Sequence, residues 1–168
     1  MNKLFFKKSF IYFGIILFIF LADRISKLYI LSVLEDLGFV DISINSYINL
    51  ILVWNSGIGF GLFSSSNQLL YNAITILIIL VNFLIIYFVF KAEDFKAYFF
   101  VMILGGSLGN LYDRIIYSAV PDFIDIHIND FHWFVFNMAD IFITLGVICL
   151  IFAEIFFNKR KIINEHSQ

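Results

Sequence analysis

The chain alternates between long apolar runs and short polar segments. Four runs are long enough to be membrane spans, and they cover residues of about 10–33, 69–90, 97–117 and 133–157. A bilayer core needs roughly 20 consecutive apolar residues for each spanning helix. Because these runs leave little of the chain over, the pattern predicts one integral membrane domain that comprises residues 1–168.

The segment between the first two runs, residues 34–68, has a different pattern. Its apolar stretches are short and are broken by glycine and asparagine. From Val40 to Trp54 this pattern predicts short strands on the membrane surface, followed by a glycine turn. Residues 118–132 are predicted to be a second loop. The predicted fold class is therefore an all-α membrane protein, a four-transmembrane-helix bundle with a small β-rich outer-surface segment between helices 1 and 2.

Composition supports this class. Of the 168 residues, 61% are hydrophobic and only 14% are charged, which is typical of an integral membrane protein. The basic N-terminus also resembles the start of a secretory signal peptide. However, no small-x-small cleavage site ends the run at Leu21-Ala22, and the apolar pattern resumes beyond Asp23. The run is therefore interpreted as a first span that is retained.

The distribution of basic residues predicts the orientation. Neither residues 34–68 nor residues 118–132 contain lysine or arginine. Basic residues instead precede the first span, flank the connection between spans two and three, and follow span four. By the positive-inside rule, both termini and that connection are predicted to be cytoplasmic, and the other two loops to face outward. The flanking basic residues are Lys3, Lys7, Lys8, Lys91, Lys96, Lys159, Arg160 and Lys161; the other three, Arg24, Lys27 and Arg114, lie within predicted spans.

Polar residues interrupt the third and fourth spans near their outer ends. Asn110, Asp113 and Arg114 are spaced i, i+3 and i+4, so they share one helix face. Asn137 and Asp140 share a face in the same way at the start of span four. Ionisable groups at membrane depth are energetically costly and therefore indicate a functional site.

Two carboxylates in this region are predicted to meet. If spans three and four are antiparallel neighbours, Asp122 in the loop between them can reach Asp140. Facing carboxylates that are shielded from water share a proton, and such a pair can act as general base and general acid. In the first span, Asp23 and Lys27 are spaced i, i+4 and can form a helical ion pair.

Two other functions would also use polar residues in this region. His127 and His132, near Asp125 and Asp130, suggest a metal site, but they do not have the H-E-x-x-H spacing, so ordinary polar loop histidines are preferred and no metal is predicted. An ion- or proton-coupled small membrane carrier would also use an intramembrane Asp/Arg cluster. The chain lacks the two similar halves and the paired broken helices typical of such carriers.

Five segments together resemble the ordered motif blocks of the bacterial lipoprotein signal peptidases, the type II signal peptidases. The resemblance covers nearly the whole chain, including its four spans and its loop order. The segments are D-R-I-S-K at Asp23–Lys27, W-N-S-G-I-G-F at Trp54–Phe60, G-N-L-Y-D-R at Gly109–Arg114, V-P-D-F at Val120–Phe123 and F-N-M-A-D at Phe136–Asp140.

The resemblance implies an intramembrane aspartic endopeptidase of the bacterial cytoplasmic (inner) membrane. Such an enzyme cleaves the signal peptide from diacylglyceryl-modified prolipoproteins, N-terminal to the lipidated cysteine. It implies no cofactor, no metal and no nucleic-acid partner; the expected partners are lipid-modified prolipoproteins and membrane lipids, and the expected state is a monomer. The catalytic pair is expected at Asp122 and Asp140. Substrate-binding or supporting roles are expected at Asp23, Lys27, Asn55, Gly57, Asn110, Asp113, Arg114 and Asn137.

The chain departs from the family pattern at three places. Arg24 stands where the family usually has glutamine, Pro121 where it has a small aliphatic residue, and Ile58-Gly59 where two alanines are common. The resemblance also implies that residues 40–60 are the family's outer-leaflet segment, which holds the substrate against the helix bundle. These departures affect loop detail rather than the expected chemistry.

Overall fold

The computed structural model describes residues 3–57, 68–92 and 95–165. Within these ranges it has four helices, each long and apolar enough to cross a membrane. The prediction of four spans is therefore confirmed. The helices are α1 (Lys3–Leu37), α2 (Gln68–Lys91), α3 (Lys96–Tyr117) and α4 (Met138–Glu165).

A four-stranded antiparallel sheet lies outside the helices. Its strand order is the order of the chain, so each strand pairs with the next. The strands between α1 and α2 confirm the predicted β-rich segment. The strands are β1 (Asp41–Asn45), β2 (Ile48–Asn55), β3 (Val120–Ile128) and β4 (Phe131–Phe136).

The sheet extends beyond its predicted place. Residues 118–132 were expected to be a loop and span four was expected to begin at residue 133, but a β-hairpin occupies this region and α4 begins at Met138. The start predicted for span four was wrong because F-H-W-F-V-F is apolar and aromatic at almost every position. Such a short run fits a strand or a helix equally well, and pairing with β3 decides between them.

Helix α3 packs against the other three helices, and glycines allow the closest approaches. A Cβ atom on Gly106 would lie 2.5 Å from the carbonyl oxygen of Ala139 in α4. One on Gly109 would lie 2.6 Å from Oδ2 of Asp23 in α1. Small residues of this kind let neighbouring helices pack closely in membranes. They bring the start of α4 and the charged part of α1 directly onto α3.

Two apolar clusters hold these elements together. One joins α2 to α3 through the buried side chains Ile85, Val89, Val101, Ile103 and Leu104. The other consists of Ile30, Val40 and Phe123, and it fixes the sheet against α1. Within a bilayer, such clusters stabilise a helix bundle through van der Waals packing rather than through removal of apolar surface from water.

Candidate active site

Asn137 and Asp140 cap the N-terminus of α4 reciprocally. Asn137 directly precedes the helix, and its Oδ1 accepts a hydrogen bond from the backbone N–H of Asp140 at 3.1 Å. Oδ2 of Asp140 accepts one in return from the backbone N–H of Asn137 at 3.2 Å. This is the arrangement of a capping box, with Asp140 at the third helical position. The local sequence N-M-A-D thus fixes the carboxylate of Asp140 at the end of the helix.

Asp122 lies on β3 and is bonded to the same asparagine. Nδ2 of Asn137 donates to Oδ1 of Asp122 at 2.6 Å, and Nδ2 of Asn55 donates to Oδ2 at 2.8 Å. The residue is only 2% exposed. Burial and the nearby charge of Asp140 raise the pKa of Asp122 to about 7, although the two asparagine hydrogen bonds oppose the shift. Asn137 therefore contacts both carboxyl groups.

Lys27 and Asn110 support Asp140 from the side of α1 and α3. Nδ2 of Asn110 donates to Oδ1 of Asp140 at 2.9 Å, and its Oδ1 accepts from Nζ of Lys27 at 2.8 Å. The buried ammonium also donates to Asp23 at 2.9 Å and to Asp113 at 2.7 Å. An ammonium has three N–H donors, and here each has an acceptor.

Asp23 and Arg24 complete this buried charge cluster. Oδ1 of Asp23 accepts a hydrogen bond from the backbone N–H of Ala139 at 3.1 Å, so a side chain of α1 caps the start of α4. Nη2 of Arg24 lies 3.1 Å from Asp23 and 2.6 Å from Oδ1 of Asp113. Its guanidinium lies 4.8 Å from the ring centre of Tyr112. With Lys27, the cluster pairs two cations with two carboxylates.

Arg114 approaches the site from the side of β2. Its Nη2 donates to the carbonyl oxygen of Gly57, whose own N–H donates to Oδ1 of Asn55 at 2.8 Å. Because Asn55 also bonds Asp122, Arg114 is connected to that carboxyl group through two residues. The hydroxyl of Tyr71 donates to the carbonyl oxygen of Arg114 at 2.9 Å. Nε and Nη1 of Arg114 are buried and make no hydrogen bond to the described residues, although the guanidinium lies 5.6 Å from the ring centre of Tyr71.

All ten site residues expected from the resemblance lie in one hydrogen-bonded network. They come from α1, from β2 and the residues that follow it, from α3, from β3, and from the start of α4. The rest of the glycine turn, from Ile58 to Phe60, lies outside the described residues. The ten are Asp23, Lys27, Asn55, Gly57, Asn110, Asp113, Arg114, Asp122, Asn137 and Asp140.

A cavity of about 500 Å³ adjoins this network. It lies between the β3–β4 hairpin and the start of α4, and Asp140 is part of its wall. The other lining side chains are almost all apolar: Ile126, Trp133, Phe134, Phe136, Ile141, Thr144 and Leu145. An apolar cavity with a few precisely placed polar groups is the usual form of a site for a small molecule or a lipid.

Comparison with known proteins agrees with the geometry. A family model described as signal peptidase (SPase) II matches residues 15–156. The chain belongs to the signal peptidase II family. The lipoprotein signal peptidase of Pelagibacter ubique (strain HTCC1062) is 54% identical over 161 residues, covering 96% of this chain and 97% of that protein. That of Anaplasma phagocytophilum (strain HZ) is 40% identical over 162 residues, covering 94% and 99%.

Solved structures agree as well. A bacterial membrane enzyme determined at 2.3 Å by the in meso method has a TM-score of 0.69 and 26% identity, covering 86% of this chain and 87% of that one. Membership of the signal peptidase II family confirms the resemblance and makes the protein a multi-pass, aspartic-type peptidase of lipoprotein processing. The carrier alternative is not supported.

Two residues of this signal peptidase II site were not identified from the sequence. Arg24 was noted only as a departure from the family pattern, although a charged residue within a span is itself a sign of a site. Tyr71 had no such signal, because nothing in an apolar helix predicts which carbonyl group a tyrosine hydroxyl will reach. Arg24 bonds the carboxylate of Asp23, and Tyr71 bonds the backbone of Arg114. Both therefore stabilise the residues around the aspartate pair rather than the pair itself.

Proposed function

We propose that Asp122 and Asp140 are the catalytic pair of this signal peptidase II. The pair would cleave the signal peptide from diacylglyceryl-modified prolipoproteins, on the N-terminal side of the lipidated cysteine. The observation that carries the proposal is the bridging of the two carboxyl groups by Asn137, at the wall of an apolar cavity. No serine or cysteine nucleophile is required for this chemistry.

The two carboxyl groups would divide the acid–base work. The ionised member takes a proton from a water molecule, whose oxygen attacks the carbonyl carbon of the scissile peptide bond. The protonated member donates a hydrogen bond to the carbonyl oxygen and then protonates the departing nitrogen. The pKa of Asp122, raised to about 7, supports this division because the pair then retains one proton near neutral pH.

The remaining residues of the network would position this pair. Lys27 holds Asn110, which in turn holds Asp140, whereas Asn55 holds Asp122. Arg114 is suited to a polar group of the substrate because two of its buried nitrogens make no hydrogen bond to the described residues. A guanidinium presents several N–H donors in one plane, so it can bind two oxygens at once.

The apolar cavity would receive the substrate's lipidated region. It borders the start of α4, one of the helices long and apolar enough to cross a membrane, and its lining of aromatic and aliphatic side chains matches acyl chains in polarity. All residues proposed to act on the substrate belong to one chain. We therefore propose that the enzyme works as a monomer, without cofactor or nucleic acid.

Cleavage of a defined substrate tests the function. Purified protein in detergent is expected to convert a diacylglyceryl-modified prolipoprotein to a product whose mass is lower by that of the signal peptide. The control is the same polypeptide without the diacylglyceryl group, which should be cleaved far more slowly because it cannot fill the apolar cavity. Absence of cleavage would contradict the function, and equal rates for the two substrates would contradict the role of the cavity.

We further propose that both termini and the α2–α3 connection are cytoplasmic, and that the sheet and the aspartate pair face outward at the bacterial inner membrane. The pairing of β2 with β3 supports this orientation, because it joins the two segments that contain no lysine or arginine.

Cysteine labelling in intact cells tests the orientation. The native Cys149 is first replaced by alanine. Single cysteines at Ser43 and Asn129, which lie in β1 and in the β3–β4 turn, are expected to react with a membrane-impermeant thiol reagent. A cysteine at Lys91, at the end of α2, should react only after the cells are opened. Labelling at Lys91 from outside would reverse the proposed orientation.

A further inference from the structure

Two histidines face each other across the β3–β4 hairpin. His127 and His132 are partners in the strand register, and their rings stack with centroids 5.2 Å apart. Asp125 joins them: its Oδ2 lies 2.7 Å from Nδ1 of His132 and 3.6 Å from Nδ1 of His127. One ligand atom from each of the three residues lies within 4.8 Å of the others.

Two polar atoms of this cluster are buried without a partner. Asp125 is 1% exposed, and neither its Oδ1 nor Nδ1 of His127 makes a hydrogen bond within the described part of the chain. Buried polar atoms in native proteins are nearly always hydrogen-bonded or bound to an ion. Two such atoms in one cluster, one of them on a carboxylate, form a set of donors that suits a cation.

We propose that Asp125, His127 and His132 bind a zinc ion. Two imidazole nitrogens and one carboxylate oxygen suit zinc, whereas magnesium and calcium prefer oxygen ligands only. Zinc binds these ligand atoms at about 2.0–2.2 Å, so the three side chains would close slightly around the ion. Zinc at Nδ1 of His132 would replace the hydrogen bond between this nitrogen and Asp125, and a neutral imidazole would then carry its proton on Nε2. The side chain of His132 is 55% exposed, which leaves room for a water molecule as fourth ligand.

The proposed zinc site is distinct from the aspartate pair. Asp122 and Asp125 are three residues apart on β3, and alternation along a strand directs their side chains to opposite faces of the sheet. The ligands are also neighbours of the cavity wall, because Ile126 lies between two of them and Trp133 follows the third. Zinc would therefore stabilise the hairpin that forms this wall, and it would take no part in peptide hydrolysis.

The strand register explains why sequence spacing alone did not predict this site. The H-E-x-x-H pattern places two histidines on one face of a helix, whereas here they belong to two paired strands. Four residues separate His127 from His132, and the hairpin turn at Asn129 brings them together.

Zinc titration tests the proposal directly. Full-length protein without a histidine tag is stripped of metal and titrated with Zn²⁺ against a chromophoric chelator. We expect one tightly bound ion per chain. Asp125→Asn, His127→Ala and His132→Ala should each weaken zinc binding by at least about 10-fold. Replacing a residue that only holds a metal ligand in place already lowers metal affinity by about that factor. Mg²⁺ at the same concentration should not compete.

Asp130→Asn is the matched control, because Asp130 is an exposed acid in the turn of the same hairpin and lies outside the cluster. Its zinc affinity should equal that of the wild type. Co²⁺ provides a second measurement on the unmodified chain, with a visible absorption band typical of a four-coordinate site with nitrogen ligands. Absence of stoichiometric zinc binding, absence of that band, or binding that all three ligand substitutions leave unchanged would overturn the proposal.

Discussion

Asp122→Asn and Asp140→Asn are each expected to reduce cleavage of a lipidated prolipoprotein by at least about 10³-fold, since a positioned general acid or base contributes about 10²–10⁴-fold. An amide has the shape of a carboxyl group but can neither accept the proton of the attacking water nor return it to the leaving nitrogen. The two residues act as one unit, so the double variant should be hardly slower than either single variant. Initial rates of product formation by mass spectrometry measure all three.

The control for this pair is Asp130→Asn, which removes an exposed carboxylate on the neighbouring hairpin and should cleave at the wild-type rate. Thermal unfolding and retention of the lipidated substrate would show that the two inactive variants are folded. The wild-type rate should also decline as the pH rises above about 7, because the pair then loses its shared proton. Substantial cleavage by either asparagine variant would remove that aspartate from the catalytic pair.

Lys27→Met is expected to lower the free energy of unfolding by about 3–5 kcal/mol, the usual effect of removing one partner from a buried ion pair. The ammonium is fully buried and donates to Asp23, Asn110 and Asp113. Methionine fills a similar volume but leaves two buried carboxylates with only Arg24 to balance them. It also removes the donor that holds Asn110 against Asp140, so cleavage should fall together with stability. Thermal unfolding in detergent measures the first effect.

Lys96→Met is the matched control for this substitution. Lys96 bonds the exposed carboxylate of Glu154 at 2.8 Å, and exposed ion pairs contribute only about 0–1 kcal/mol. The same change of side chain should therefore have little effect there. Adding Asp113→Asn to Lys27→Met should recover part of the lost stability, because it removes one of the unbalanced charges. Equal melting temperatures for Lys27→Met and Lys96→Met would contradict the importance of the buried cluster.

The buried charges also explain how a membrane bundle can contain so many ionisable groups. Most of these charged groups have an opposite charge or an amide partner within hydrogen-bond distance, for example Asp113 beside Lys27 and Arg24. Arg114 instead donates to the backbone carbonyl oxygen of Gly57. The network extends without a break from Arg24 to Asp122. Fully partnered polar networks make a buried site rigid, whereas a partly partnered one is costly. We therefore expect substitutions that leave one of these buried charges without its partner to lower stability and cleavage together.

Much of this architecture was determined by local sequence. Run length and hydropathy determined the four spans, because lipid admits only segments that satisfy their own backbone hydrogen bonds. Helical periodicity placed Asn110, Asp113 and Arg114 on one face, and the i, i+4 spacing predicted the pair Asp23 and Lys27, which the structure confirms. These features depend on residues close together in the chain, so they can be predicted without knowledge of the neighbouring elements.

Tertiary structure alone decided which elements meet. The run from Phe131 to Phe136 became a strand because β3 offered it a hydrogen-bonding partner, and no property of the run itself required this. The same pairing brought His127 to His132. Asn137 contacts Asp122 and Asp140 only because the N-terminus of α4 lies beside the sheet, where the close approach at Gly106 holds it against α3. Contacts between residues distant in sequence depend on packing geometry, which hydropathy and spacing do not specify.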